Sequence, residues 1–469
     1  MLTFLDPRPN RNCSGFTRRE LLRVGSLALG SLTLPGLFQA KARAAAAGKP
    51  VTGKSVILLF LQGGPSHIEL FDPKMTAPEN VRSTTGEVQT KLAGVTFGGT
   101  FPKLAARADR LAVVRSYASG NSNHTYLDVA SGGNALKATM GSLYARVAGS
   151  TSERTGIPSN VLVLPEAVQP GLKLGGNFET GALPTLTSPG ELGPACAAFD
   201  PSGGGPLRKN MQLQVAPEHL AERRQLLASL DNLKREIDAN GAMRGADSFQ
   251  QQAFDVILRG VAEAFDLSKE DPKTVERYDT SKCFRLDEVH KWGDMRRSSN
   301  LLGKQLLLAR RLCEAGCGFV TVSDCGWDMH SNGNSPKKLG GLQWLGPQLD
   351  HAVAAFLDDV HDRGLSDDIL LVVTGEMGRS PRLNNDGGRE HYGELTSLLL
   401  AGGGLKMGQV VGQSDRTASR PATERYTPQH LLATVMHTLF DVGAARVAPG
   451  LGNAVLQAIT EGQPIPELL

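Results

Sequence analysis

Residues able to do chemistry gather at four places in this chain, each directly after a short apolar run. The run SVILLFL at Ser55–Leu61 leads into Gly63-Gly64-Pro65-Ser66-His67 and then Phe71-Asp72-Pro73-Lys74. LAVVR at 111–115 leads into Asn121-Ser122-Asn123-His124-Thr125 and on to Ser131-Gly132-Gly133. GFVTVS at 318–323 leads into Asp324-Cys325-Gly326-Trp327-Asp328-Met329-His330. DILLVVT at 368–374 leads into Gly375-Glu376-Met377-Gly378-Arg379-Ser380-Pro381, and then into a glycine-rich loop carrying Arg389 and His391. Carboxylates and imidazoles together suit a divalent ion such as zinc, calcium, magnesium or manganese. Asp328 and His330 are two apart, so on an extended segment they share a face and can chelate. Arg379 and Arg389, in glycine-rich surroundings, suit a bidentate grip on an oxyanion, and equally suit salt bridges to Glu376 and Asp386. His124 follows a strand and sits among Asn and Ser. Ser122 offers a hydroxyl, although most loop serines are caps. Asp72 either ligates a metal or caps a turn with Pro73. His219, His290, His351, His361, His430 and His437 fall on helical stretches and read as structural.

Elements that alternate between strand and helix must position these residues. Besides the four runs, strands are expected at 160–164 and 396–400. Helices are expected around 103–108, at 301–314 before Gly316, at 345–363 before Gly364, and at 426–439 after Thr427-Pro428. Nearly all-apolar strands alternating with helices argue for a parallel sheet covered on both faces. In such sheets the chemistry lies at the carboxyl ends of the strands, which is where the four clusters fall. Residues 216–239 and 249–265 have long amphipathic periodicity and read as a helical insert.

The length of 469 residues suits one large α/β domain with insertions, or two domains. Fifty basic residues against 47 acidic ones leave a net charge of +3, which excludes an electrostatic case for nucleic acid as partner. Thr17-Arg18-Arg19-Glu20-Leu21-Leu22, a weakly apolar stretch to Phe38 and Ala42-Arg43-Ala44 read as a twin-arginine signal peptide over 1–44. The stretch is short for a span of roughly 20 residues, so a periplasmic or extracellular protein with no stable membrane span is expected. Cys13 leaves with that peptide. The other five cysteines include no Cys-x-x-Cys pair, so a thiolate zinc site is not expected and small buried side chains are.

Taken together, GGPSHIELFDPK at 63–74, LLLARRLCEAG at 306–316, GWDMH at 326–330, TGEMGRSP at 374–381 and GREHYG at 388–393 resemble the bacterial family catalogued as DUF1501, sulfatase-like proteins of the alkaline phosphatase superfamily. The resemblance implies an alkaline-phosphatase-like α/β/α sandwich over residues 45–469, with a mostly parallel central sheet and a helical insert at about 205–300. It implies one or two divalent ions and a small-molecule or polysaccharide ester as substrate. Asp328, His330 and His391 look like one metal-binding set, and Glu376 holds the place of a carboxylate that bridges to a second ion. Ser122 stands near the nucleophile's place, with Thr125 as the alternative. No cysteine lies near position 122, which leaves formylglycine activation unsupported. The first strand departs from the pattern. It ends in Leu61-Gln62-Gly63 where a metal-binding Asp is usual, so His67 or Asp72 would have to fold back. The expectation is a metal-dependent hydrolase of phosphate or sulfate esters. In it the ion polarises an ester oxygen, Ser122 or water attacks, and Arg379 or Arg389 holds the non-bridging oxygens. The missing acid and Met377 favour the alternative, an inactive secreted protein that binds an anionic ligand or glycan. A metal-free scaffold is the third reading.

Overall fold

A computed structural model describes residues 49–203 and 263–469. The expected twin-arginine segment lies outside them, as does most of the expected helical insert. Seven strands form the central sheet: β1 (Ser55–Leu61), β2 (Ala112–Val114), β3 (Asn160–Val163), β4 (Phe319–Asp324), β5 (Ile369–Thr374), β6 (Leu398–Gly402) and β7 (Gln409–Val411). Their order is β7-β2-β6-β5-β1-β4-β3. β1 lies between β5 and β4 and runs parallel to both, and β3 is parallel to β4. β6 runs antiparallel to β5 and β2, so the run at 396–400 departs from the expected parallel direction and begins two residues later. A strand buried on both faces is apolar throughout whichever way it points, and its sequence carries no sign of direction.

Helices cover both faces, giving an α/β/α sandwich. Ile57, Leu59 and Leu61 of β1 face one layer, built on α3 (Leu302–Glu314) and α4 (Leu342–Asp362). Val56, Leu58 and Phe60 face the other, built on α1 (Tyr126–Ser131), α2 (Met140–Ala148), α5 (Pro428–Leu439) and α6 (Asn453–Thr460). The strand's period of two places successive side chains in opposite cores, and each large apolar side chain so buried contributes about 1.5–3 kcal/mol. Gln305 of α3 is buried and donates to Val163 O (3.1 Å) and Ser323 O (3.0 Å), fastening the helix to the ends of β3 and β4. α5 opens with Pro428 at its first turn and a Thr427–His430 capping box, which accounts for His430.

Residues 263–300 form short turns and helices (Leu267–Lys269, Pro272–Arg277, Leu286–Val289, Gly293–Met295) packed along the α3–α4 layer. A charged hub fastens them. Arg310, 1% exposed, meets Glu270 (2.6 Å) and Asp359 (2.9 Å). Cys196, Cys313, Cys317 and Cys325 are buried, Cys283 is half-buried, and none of these thiols is bridged. No described helix is long and apolar enough to cross a membrane.

Candidate metal and catalytic site

The site lies at the carboxyl ends of β1, β4 and β5, where three parallel neighbours end in step: Leu61 pairs with Asp324, and Phe60 with Thr374. Past β1 the chain turns through Gln62 and Gly63. Gln62, in place of the expected acid, is buried and donates through its amide to Ser323. Gly63 has φ +110°, and a Cβ there would strike the backbone of Trp327 and Asp328. Its N–H instead donates to both oxygens of Glu376 (3.0 and 3.3 Å).

Past β4, the buried Asp324 accepts from the Trp327 indole (2.8 Å) and from Gln348 (3.3 Å), fixing the turn that delivers Asp328. Burial pushes the Asp324 carboxyl up to about 7, although Trp327 donates to it. Past β5, Arg379 and His391 face each other on a two-residue hairpin, Gly378–Arg379 with His391–Tyr392.

These elements converge on Asp328. Its Oδ1 meets His391 Nε2 (3.1 Å) and the Arg379 guanidinium; its Oδ2 meets His330 Nε2 (3.0 Å) and His124 Nε2 (3.6 Å). Burial alone would raise the Asp328 carboxyl, but the three imidazoles and Arg379 outweigh it and hold the group far below the carboxylate range. His124 Nδ1 is 2.7 Å from Glu376 Oε1. Burial opposes a charge on His124, yet Asp328 and Glu376 together raise it to about 9. His124 also packs against the exposed ring of Phe178, tilted by 35° with centroids 4.2 Å apart.

Among the described residues, two overlapping sets have metal-ligand spacing: His124, Asp328 and His391, and Asp294, Asp328 and His330. The donor chemistry fits a divalent ion. Three imidazoles present Nε2 to one carboxylate, and Glu376 takes the far nitrogen of His124, as the outer partner of a metal-bound histidine does.

The expected residues divide. Asp328, His330, His391 and His124 come together. Glu376 joins them through His124 and stands outside both ligand-spaced sets. Arg379 is at the site, 1% exposed, with four of its five N–H donors committed to Asp328 and to the carbonyls of Gly63, Gly64 (2.9 Å) and Arg389 (3.2 Å). Arg389 is placed elsewhere. Fully buried, it grips Glu69 (2.8 and 3.1 Å) and donates to the carbonyls of Ser380, Pro381, Val81 and Arg82. Asp72 also lies apart, engaged by Ser414, Lys74 (3.3 Å) and Arg115 (3.5 Å). His67 does not fold back; it is buried against Ala418 O (3.0 Å), and burial lowers it to about 4. Ser122 and Thr125 are exposed on the loop around His124.

Asp294 and Glu179 were not anticipated. Neither follows a strand, and nothing in their local sequence marks them. Glu179 is buried, accepts from Gly326 N (3.1 Å) and Asn177 (3.0 Å), and is pushed up to about 8 by that burial.

A family model described as "Protein of unknown function (DUF1501)" matches residues 53–469, and the chain belongs to that family. No similar sequence was found among curated proteins. Among solved structures, the PsFucS1 sulfatase from Pseudoalteromonas sp. is 11% identical, with 92% of this chain and 78% of that one covered at a TM-score of 0.34. The lipoteichoic acid synthase LtaP from Listeria monocytogenes is 10% identical (87% and 78%, TM-score 0.33). The phosphonate monoester hydrolase SpPMH from Silicibacter pomeroyi is 11% identical (88% and 76%, TM-score 0.29).

Proposed function

We propose that this chain is an exported, metal-dependent hydrolase of phosphate or sulfate esters, its centre built on His124, Asp328, His330 and His391. The observation that carries the reading is Asp328, a buried carboxylate facing three imidazole nitrogens, one of them backed by Glu376 at 2.7 Å. A divalent ion held there supplies Lewis acidity toward an ester oxygen and lowers the pKa of water.

The chain's own residues do the rest. Arg379 holds Asp328 ionised and in place. Glu376 fixes the His124 ring, turning Nε2 into the site. His391, with its side chain 30% exposed, lies at the mouth and can donate to a substrate oxygen. Because Arg389 is spent on internal partners and Arg379 is buried with four of its five donors committed, charge developing on the ester would be met chiefly by the bound ion. Ser122, two residues before His124 and exposed, is the proposed nucleophile, with Thr125 as the alternative. Export rests on the twin-arginine pattern at Arg18-Arg19.

The test is metal content by plasma mass spectrometry on untagged protein purified without chelators, beside an Asp328→Ala/His330→Ala variant. Both are then assayed with p-nitrophenyl phosphate and p-nitrophenyl sulfate. Metal lost in the variant, together with turnover of either ester by the parent, supports the reading. A parent that takes up neither zinc, manganese nor calcium overturns it.

A further inference from the structure

We infer that Phe178 is a specificity-determining residue, a platform on which the organic group of the ester lies as a flat ring. The inference rests on the hydrolase reading above and names the substrate class of that site: an ester whose leaving group carries a ring, aryl or pyranose.

Phe178 stands out by its exposure. Among the described residues, the exposed large apolar side chains are Phe178 (36%) and the final residue, Leu469 (47%). The exposed aromatic lies at the candidate site. Its ring packs on His124, with centroids 4.2 Å apart, and His124 in turn meets His391 edge-on at 4.6 Å. His124 Nε2 faces Asp328 Oδ2 at 3.6 Å, so a single imidazole separates the exposed ring from the carboxylate at the centre. A leaving group that extends from an ester held at those imidazoles therefore meets Phe178 within one ring's width.

The ring is held in that position. Phe178 opens a short helix, Phe178–Ala182, and Asn177 before it completes a capping box: Asn177 Oδ1 accepts from Glu179 N (3.1 Å), and Asn177 N donates to Thr180 Oγ1 (3.2 Å). Asn177 Nδ2 also donates to Asp294 O (3.1 Å). Next in the chain, the buried Glu179 accepts from Gly326 N (3.1 Å), two residues before Asp328. Phe178 thus sits between two residues anchored to the segments that build the site. Its exposed face is set before a ligand arrives, which lowers the cost of binding one. An aromatic face is matched by a flat ring laid against it, and apolar area is then removed from water on both partners.

The experiment compares the full, metal-loaded chain with Phe178→Leu, which keeps apolar support for His124 without the flat face, and with Phe178→Tyr, which keeps both. The probes are p-nitrophenyl, glucose-6-yl and n-butyl esters of phosphate and of sulfate. Each is read by kcat and KM, or by its inhibition constant against the p-nitrophenyl ester where it is not turned over. Bound metal is counted in every variant. Phe178→Leu is expected to raise the constant about 3- to 10-fold for a ring ester, with the n-butyl ester, kcat and metal content unchanged and Phe178→Tyr close to the parent. A loss on the p-nitrophenyl ester alone identifies an aryl substrate, and one on the glucose ester a sugar. Unchanged constants for both ring esters, or an equal loss on the n-butyl ester, overturn the inference and leave the proposed function standing. A fall in kcat on every ester together with lost metal shows that the ring only supports His124, and also overturns it. A parent that turns over none of the esters overturns the hydrolase reading, and the inference with it.

Discussion

At the scale of the residue, what a side chain can offer depends on which of its atoms are already taken. Arg389 reads in the sequence equally as an anion grip or a salt-bridge partner, and each guanidinium nitrogen is engaged inside the fold, chiefly by Glu69. Removing one partner of a buried pair strands the other's charge. Arg389→Ala should therefore lower unfolding free energy by about 3–5 kcal/mol in urea titrations, to the same extent with or without bound phosphate; a loss seen only when phosphate is present would restore the anion-binding role. Glu376 acts through His124. Glu376→Gln should weaken zinc affinity by about 10- to 100-fold while leaving the number of ions unchanged; unaltered affinity in a competition titration would argue against positioning. Asp324 gives a pH signature. Its folded pKa, about 7, lies above the ordinary carboxylate value. Its contribution to stability is therefore complete at low pH and lost as pH rises through about 7. Asp324→Asn keeps an acceptor for Trp327, so urea unfolding of the metal-free variant should lose less stability than the parent between pH 5 and 8. Parallel curves would sink this assignment.

At the scale of the element, two devices set the site. The first is the turn past β1, where Gly63 lets the backbone pass against Trp327 and Asp328 while its N–H anchors Glu376. The second is the charged hub around Arg310, which clamps 263–270 to α3 and α4. Burial opposes the charge of Glu270, but Arg310 and Arg311 hold it down to about 2. Its stabilisation is present above the usual carboxylate pKa and disappears as pH falls through about 2. Glu270→Gln should accordingly flatten the acid limb of the unfolding profile between pH 4.5 and 2; an unchanged limb would show the hub to be silent. The direction of β6 belongs here too. Its residues announce a buried strand and say nothing of whether it runs up or down.

At the scale of the whole molecule, folding and metal binding should be coupled, because the proposed ligands come from the loop at 124, the end of β4 and the hairpin at 391. They assemble only in the folded chain, so metal held at 100 times its dissociation constant should add about 2.7 kcal/mol of stability. A chelator should take it away; a melting temperature indifferent to chelator and to added zinc would count against the centre.

Much of this was readable from the residues alone. Apolar runs at strand length, punctuated by glycine, pointed to an α/β sandwich and placed its chemistry after β1, β2, β4 and β5. The alternation Asp328–Met329–His330 marked a chelating pair, because side chains two apart on extended backbone share a face. Local pattern could go no further, since it reports what precedes a residue and not what packs against it. Only the tertiary structure decided that Arg389 and Asp72 serve neighbours outside the cluster, that Glu376 stands behind His124, and that Asp294 reaches Asp328 from 34 positions earlier in the chain. Those contacts join segments far apart in sequence, and the packing of α3, α4 and the 263–300 turns on the sheet brings them together.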